Sequence, residues 1–516
     1  MASRIPTVAP PTSSGQSATR STITGHHPDP GSGPGRGGDA PQQLAHDSIG
    51  FIRNVSQPIA VAGPTAGTAI MASVMAGVTG TPGPLSFLLG IAAGALLVHV
   101  FTSLARHFES AGGTYLLAGL LVGTRTAVVV GFLYAASLFG ASGGITVNVA
   151  TFSQTLVQEI TGAELPWPFF AVVLGGVALV LAVNHVRRFT AVITVVEVIG
   201  FIALITLGVT VLVREGLNGA DVWAAFSVQG ITPAQVFLGV VVAFSSFGGF
   251  EAGLLLSEET KDNKTTVPRG MWTALLLAGT CYVFACWFQY VGFGSVDALA
   301  SSPEPMFSLA RDSFGAPVAD VMVCLVILAG TAAVSACMGG GGRVLYAMVR
   351  DGLAPRSWAV LSRVAQAPYR LVVGGAVAGA LAWSTCALLG LSGPDAFNDI
   401  LTTGGLFQML IYTVISGAAV VWSTRRREFM TVAVAALAFL ISTYTLVTTV
   451  FPTGGGGLGI LPLVAAVYLL LVLAFVLAAG GRVRRIAQSP YWRAAHAERA
   501  ALMARPGGSG RVDDVA

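Results

Sequence analysis

Charge is what this chain lacks. Only 10% of its 516 residues are Asp, Glu, Lys or Arg, against roughly 25% in an average soluble domain. So few charged side chains cannot cover a water-exposed globule. With 54% hydrophobic residues and a mean hydropathy of +0.74, the composition is that of an integral membrane protein. Cysteine is also sparse. Cys281, Cys286, Cys324, Cys337 and Cys386 lie in or near apolar runs with no metal-ligand spacing, so they read as small core residues rather than disulfides or a metal centre. The histidines are scattered, and His26, His27 and His46 fall in the polar N-terminal stretch. There is no H-E-x-x-H, no G-x-S-x-G and no cluster of acids at catalytic spacing, which argues against a membrane enzyme and calls for no cofactor. A nucleotide-binding domain is missing too, so any transport must draw on an ion gradient, on exchange or on a separate partner. No filter-like repeat or ring-forming charge pattern favours a channel. Nothing resembling a signal peptide opens the chain.

What the chain does have is long apolar runs. Twelve are expected, at about 55–77, 84–105, 125–148, 168–184, 189–213, 232–256, 271–293, 318–342, 371–392, 398–421, 429–450 and 458–480. Each is long enough to cross a hydrocarbon layer of ~30 Å as a helix. Arginine bias orients them. With the N-terminus inside, the inner loops hold Arg106, Arg125, Arg187, Arg188, Lys261, Lys264, Arg269, Arg343, Arg350, Arg356, Arg363, Arg370 and Arg425 to Arg427, against Arg214 and Arg311 outside. Both termini are then cytoplasmic. The net charge of +4 is explained by inner-face arginines beside anionic lipid, with no call for nucleic acid. Residues 1–46, rich in Pro, Gly, Ser and Thr, are expected to be a disordered tail. The transporter domain then covers 47–481, and 482–516 form a basic, mostly disordered tail with a short surface helix over Tyr491–Met503. The G-x-G-x-x-G matches at Gly33–Gly38 and Gly454–Gly459 follow no strand and are dismissed.

Two spans are broken. Span one carries Gly63-Pro-Thr-Ala-Gly67, and span six carries Ala243-Phe-Ser-Ser-Phe-Gly-Gly-Phe-Glu251. Glycine and proline at bilayer depth free backbone groups that lipid cannot satisfy, so such breaks must face protein, water or a ligand. A pair of interrupted spans in corresponding halves points to a transporter binding site. The candidate substrate residues are Gly63, Pro64, Thr65, Ala66, Gly67, Phe244, Ser245, Phe247, Gly248 and Gly249. Phe247 is favoured as a gate, with Phe250 beside it, although aromatic packing is the plainer reading for some of these rings. Glu251 and Glu197 are acids within spans, where carboxylates are rare and functional by default. Either could couple protons, or serve as a satisfied structural acid.

The stretch Ala243–Arg269 resembles the sixth span and following loop of the amino acid–polyamine–organocation permease superfamily, whose pattern runs through G-F-E and E-E-x-K-N-P to P-R. Asp262-Asn263-Lys264 replaces the usual Asn-Pro. Ala111-Gly-Gly-Thr-Tyr115 is similar to the family's A-G-G-x-Y, and Arg343–Pro355 to its R-x-L-Y-A-x-x-R-D-G-x-x-P. The resemblance covers roughly residues 50–420. It implies an all-α membrane fold of about twelve helices with a LeuT-type five-plus-five inverted repeat and two added C-terminal helices. It also implies alternating access, and amino acids or related amines as substrates. Freed N–H groups at a half-helix suit a carboxylate, and freed carbonyls suit an ammonium. Three departures qualify it. Span one has a proline, hence one donor fewer, where relatives have a glycine cluster. No Lys stands in spans one to five. Met338-Gly-Gly-Gly-Gly342 replaces an Asn before the span-eight Arg. Thr331 and Ser335 could ligate sodium, though such hydroxyls more often bond their own backbone. Arg53 and Asp351 are expected to pair as an inner gate. The expectation is thus a permease, monomeric or homodimeric, in the cytoplasmic membrane. Proton coupling or exchange is the expected drive, and a non-transporting sensor or channel of the same fold is the alternative.

Overall fold

The computed structural model describes residues 49–107, 113–184, 187–227, 229, 231–362, 367–451 and 460–503; side chains at 187–194, 490, 491, 498 and 503 are outside that description. The proposed N-terminal tail, Ala111 and Gly112 of the second motif, and the tail beyond 503 lie outside the described residues.

Eleven helices there are long and apolar enough to cross a membrane, and the bent pair Phe51–Gly67 and Met71–Thr79 completes twelve. Span two is Gly83–His107, three Thr124–Thr161, four Trp167–Asn184 and five Arg187–Leu217. Span six is split into Pro233–Ser246 and the tighter helix Phe250–Glu259, and seven is Asn263–Phe293. Eight is Ala316–Arg350, nine Tyr369–Leu388, ten Gly393–Arg426, eleven Phe429–Val450 and twelve Ile460–Ala478. Every expected span is present. The third, eighth and tenth run well past their apolar stretches, because a helix satisfies its own backbone and can leave the lipid intact.

Burial sorts the spans. Spans three and eight are two-thirds buried, whereas four and twelve are 17% buried. The buried pair is rich in small residues. A Cβ on Gly341 would lie 2.8 Å from the Phe139 ring, and one on Gly375 of span nine 1.9 Å from it. Glycine there lets helices approach to backbone contact, the usual basis of association in lipid. Span twelve instead presents Leu463, Leu470, Leu471 and Leu477 outward, an apolar face suited to acyl chains.

Span one does not run straight. Gly63 adopts φ 52° and ψ 49°, a left-handed conformation that glycine reaches at little cost. Its N–H closes the first helix on the Ile59 carbonyl at 2.9 Å, and Pro64 opens the next turn at its first position. Pro64 offers no N–H to Ala60, so the ladder stops there. A second break at Thr68–Ile70 bends the chain by 69° into Met71–Thr79.

The C-terminal region departs from expectation in part. The helix expected over Tyr491–Met503 is present as Pro490–Met503, and a further helix, Gly480–Ala487, precedes it where a disordered stretch was expected. Val483, Ile486 and Trp492 are buried, Trp492 completely. Apolar residues spaced three apart gave this segment an amphipathic face, which finds the near face of the bundle (the face carrying Ile49 and Arg350).

Candidate functional site

The two breaks lie against each other. A Cβ on Gly249, whose φ is +110°, would sit 2.7 Å from Val61 Cγ1 and 3.2 Å from the Ala62 nitrogen. Only glycine supplies both this backbone conformation and this approach. A Cβ on Gly63 would lie 3.6 Å from Ala333 Cβ of span eight, and one on Gly67 would meet the Tyr282 hydroxyl at 2.0 Å. A Cβ on Gly330 of span eight would lie 3.6 Å from Ala66 Cβ.

The breaks are tied to their neighbours through polar groups inside otherwise apolar spans. The Thr65 hydroxyl donates to the Glu197 carboxylate, so span five grips the unwound turn of span one. Glu197 is 5% exposed. Tyr282 of span seven donates to the Ala62 carbonyl at 3.5 Å, and Gln289 Nε2 donates to the Thr68 carbonyl at 3.0 Å. Carbonyls released by the break therefore have side-chain donors, as backbone at membrane depth requires.

Span six is treated likewise. The Phe247 and Gly248 amides make long turn contacts of 3.3 and 3.4 Å to Phe244 and Ser245 carbonyls. The Gly249 amide donates to Glu251 Oε2 at 3.3 Å. Glu251 is 1% exposed and also accepts from Tyr412 Oη at 2.7 Å and Gln408 Nε2 at 3.0 Å. Ser137 of span three donates to Gln408 Oε1 at 2.8 Å, extending the chain. Glu251 thus joins the span-six break to spans three and ten, the satisfied buried network that a carboxylate needs away from water.

The aromatic residues are all packed. Phe247 touches Phe87 and Tyr282, with ring centroids 6.2 and 6.0 Å apart. Phe250 stacks on Tyr412 at 5.6 Å, and Phe244 meets the same ring at 6.3 Å. Ser245 donates to the Val241 carbonyl at 3.0 Å. Thr331 spends its hydroxyl on the Ile327 carbonyl at 2.7 Å, the self-bonded arrangement rather than an outward ligand; Ser335 is buried one turn on.

On the near face the sequence motifs meet. Glu258 of the Glu-Glu-Thr-Lys loop receives both contacts of Arg350 Nη1 at 3.0 and 3.1 Å, and Glu259 faces Arg343 at 3.3 Å. Asn54 of span one donates to the Gly253 carbonyl and Thr260 Oγ1 at 3.2 and 3.1 Å, and Ile49 forms a parallel bridge with Thr260. The near-face halves of spans one and six are thereby bound together. Asp351 is committed elsewhere than sequence placed it. It accepts from Trp492 Nε1 at 2.7 Å and Tyr115 Oη at 3.2 Å, with Arg350 Nε at 3.6 Å. Burial pushes its carboxyl above the ordinary aspartate range, against the pull of the Arg350 charge. The indole lies over Gly119, where a Cβ would fall 2.0 Å from Trp492 Cη2. Sequence reading missed Tyr282, Gln408, Tyr412 and Trp492. Gln408 and Tyr412, four apart and so on one helical face of span ten, were the available signal.

A helical membrane bundle whose first and sixth spans unwind side by side has the architecture of a transporter. The chain belongs to the amino acid permease family: the profile described as "Amino acid permease" matches residues 56–475. It is 30% identical over 284 residues to the low-affinity putrescine importer PlaP of Escherichia coli (strain K12), covering 51% of this chain and 59% of that one. It is 26% identical over 322 residues to the vacuolar cationic amino acid transporter 4 of Arabidopsis thaliana, covering 59% and 53%. The branched-chain amino acid permease BcaP of Lactococcus lactis subsp. cremoris (strain MG1363) is 22% identical over 294 residues, covering 52% and 61%. The matched regions thus span between about half and three-fifths of these relatives. Among solved structures, a manganese transporter of Eremococcus coleocola, in complex with an aromatic bis-isothiourea substituted compound, aligns with a TM-score of 0.49 at 10% identity, over 84% of this chain and 95% of that one.

Proposed function

We propose that this chain is a secondary active permease that moves amino acids or related amines across the cytoplasmic membrane by alternating access, driven by protons or by exchange. The observation that carries the reading is the contact of the two breaks, Gly249 against Val61 and Ala62, in a member of the amino acid permease family. The putrescine importer, the cationic amino acid transporter and the branched-chain amino acid permease among the relatives are named for substrates that share an ammonium. Carbonyls around Gly63–Gly67 would take that ammonium. The amides of Phe247 and Gly248, held only by long turn bonds, would turn to a carboxylate where the substrate has one.

The architecture intended is a five-plus-five inverted repeat with spans eleven and twelve appended and both termini cytoplasmic. In this reading Thr65–Glu197 is the joint through which span five feels the state of span one. Glu251 holds the span-six break, and Glu258–Arg350 with Glu259–Arg343 close the near face. Uptake of labelled putrescine, lysine and leucine into proteoliposomes under imposed proton or sodium gradients tests it. Saturable uptake that follows a proton gradient or internal counter-substrate is expected. Absence of uptake for every amine and amino acid in a mixed pool would overturn the proposal.

A further inference from the structure

Span twelve continues almost unbroken into a basic helix. Only Ala479 separates Ile460–Ala478 from Gly480–Ala487. The Ala479 amide still bonds the Phe475 carbonyl at 2.7 Å, and the Val483 amide bonds the Ala479 carbonyl at 3.0 Å. Leu477, 71% exposed, is the last outward leucine of span twelve. Arg482, Arg484 and Arg485 follow it within about 8–12 Å of helical rise, which carries them from the hydrocarbon edge to headgroup depth. The helix has two unlike faces. Val483 and Ile486 are buried against the bundle, where span three receives the helix. The three arginines occupy the opposite sector of the turn and are exposed, and among the described residues none of them has an acidic partner. From Gly480 to Arg493 the sequence holds four arginines and no Asp or Glu. Like charges one turn apart, as at Arg482 and Arg485, weaken a helix, so this one calls for a counter-charge from outside the chain. The same segment leads into the near-face network. Trp492 donates to Asp351, whose neighbour Arg350 holds Glu258, and Arg426 donates to the Leu502 carbonyl at 3.0 Å.

We infer that the outer face of Gly480–Ala487 is a binding surface for the phosphate headgroups of anionic phospholipid, and that these contacts hold the C-terminal helices docked on the near face. A guanidinium fork matches phosphate oxygens two at a time. A basic cluster directly after a membrane helix gains from each anionic headgroup that lies within a Debye length. The lipid is the counter-charge that the helix lacks. Through Trp492, Asp351 and Arg350, the charge of the leaflet bears on the Glu258 contact that joins spans six and eight. The surface goes beyond the permease reading, and its test needs no transport.

The full-length protein is placed in nanodiscs, which leave both faces open, made of phosphatidylcholine alone or with phosphatidylglycerol added. Chymotrypsin cuts beside Tyr491, Trp492 and Leu502, so its rate within the tail reports undocking without needing the arginines. Phosphatidylglycerol is expected to slow tail cleavage about tenfold at low salt, with the advantage erased at high salt. Arg482→Gln, Arg484→Gln and Arg485→Gln together are expected to give the fast rate in both lipids; Arg484→Gln with Arg485→Gln serves if the triple variant fails gel filtration. The corresponding lysine triple keeps the charge and is expected to stay slow in phosphatidylglycerol. Trp492→Ala, fast in both lipids, fixes the undocked rate. Inorganic phosphate added to phosphatidylcholine nanodiscs is expected to give no protection; protection equal to that of the lipid would assign the arginines to a soluble anion and overturn the membrane surface. Equal cleavage of the wild-type chain in the two lipids, protection of the glutamine variant by phosphatidylglycerol, or a lysine triple as fast as the glutamine one overturns the proposal.

Discussion

Gly249→Ala tests the contact on which the site is built. Two costs add. The residue sits at φ +110° and ψ −10°, where an alanine pays about 1–3 kcal/mol of backbone strain. Its new methyl would lie 2.7 Å from Val61 Cγ1 and 3.2 Å from the Ala62 nitrogen. The valine can turn aside, but the backbone nitrogen cannot without moving span one, and such overpacking costs about 1–3 kcal/mol. Together they give about 2–6 kcal/mol, relieved if the two breaks separate. Gly248→Ala is the internal control. No left-handed φ is required there, and its Cβ would be 3.5 Å from the Ser245 carbonyl oxygen, an ordinary contact, so a change within about 1 kcal/mol is expected. Thermal unfolding in detergent, read with substrate uptake, separates the two. Gly249→Ala should lower the midpoint and lose most transport, while Gly248→Ala should keep both near wild type. Equal behaviour of the pair would refute the claim that the breaks are in close register.

Three further outcomes follow. Glu251→Gln places an amide N–H₂ against donors from Gln408, Tyr412 and Gly249, should cost about 1–3 kcal/mol, and should reduce uptake or flatten its pH profile; wild-type uptake at every pH would remove Glu251 from the mechanism. Trp492→Ala empties the space over Gly119 and leaves Asp351 one donor short, for about 3–5 kcal/mol of docking; faster proteolysis between 480 and 503 is the check, and an unchanged rate would deny that the indole pins the tail. Because burial holds Asp351 above its ordinary range in the docked state, its contribution to docking is complete below the usual aspartate range and is lost as pH rises through the raised value.

The spans and their breaks were legible because the signals are local. Gly63 and Pro64 stand within an apolar run, and bilayer chemistry allows few meanings for that. The motif residues Glu258 and Arg350 were legible as motifs, but their pairing was not. Long-range partnerships are where sequence reading stopped. Glu251 finds Tyr412 across 161 residues of chain, Thr65 finds Glu197 across 132, and Asp351 finds Trp492 across 141. No periodicity encodes such distances. Asp351 shows the consequence: charge alone nominated Arg53, while the fold gives the buried carboxylate two neutral donors, Tyr115 and Trp492, and the adjacent Arg350 as its cation. The helix Gly480–Ala487 and the docking of the tail were missed for a related reason. Its mean hydropathy is polar, and only the spacing of Val483, Ile486 and Trp492 betrays a face to bury.

Amide hydrogen exchange at the two breaks, with and without a transported substrate, bears most directly on the account. Slowed exchange confined to peptides covering Gly63–Gly67 and Phe247–Phe250 is predicted, because backbone groups there hold the ligand. Slowing elsewhere in the bundle, with these two segments unchanged, would contradict it.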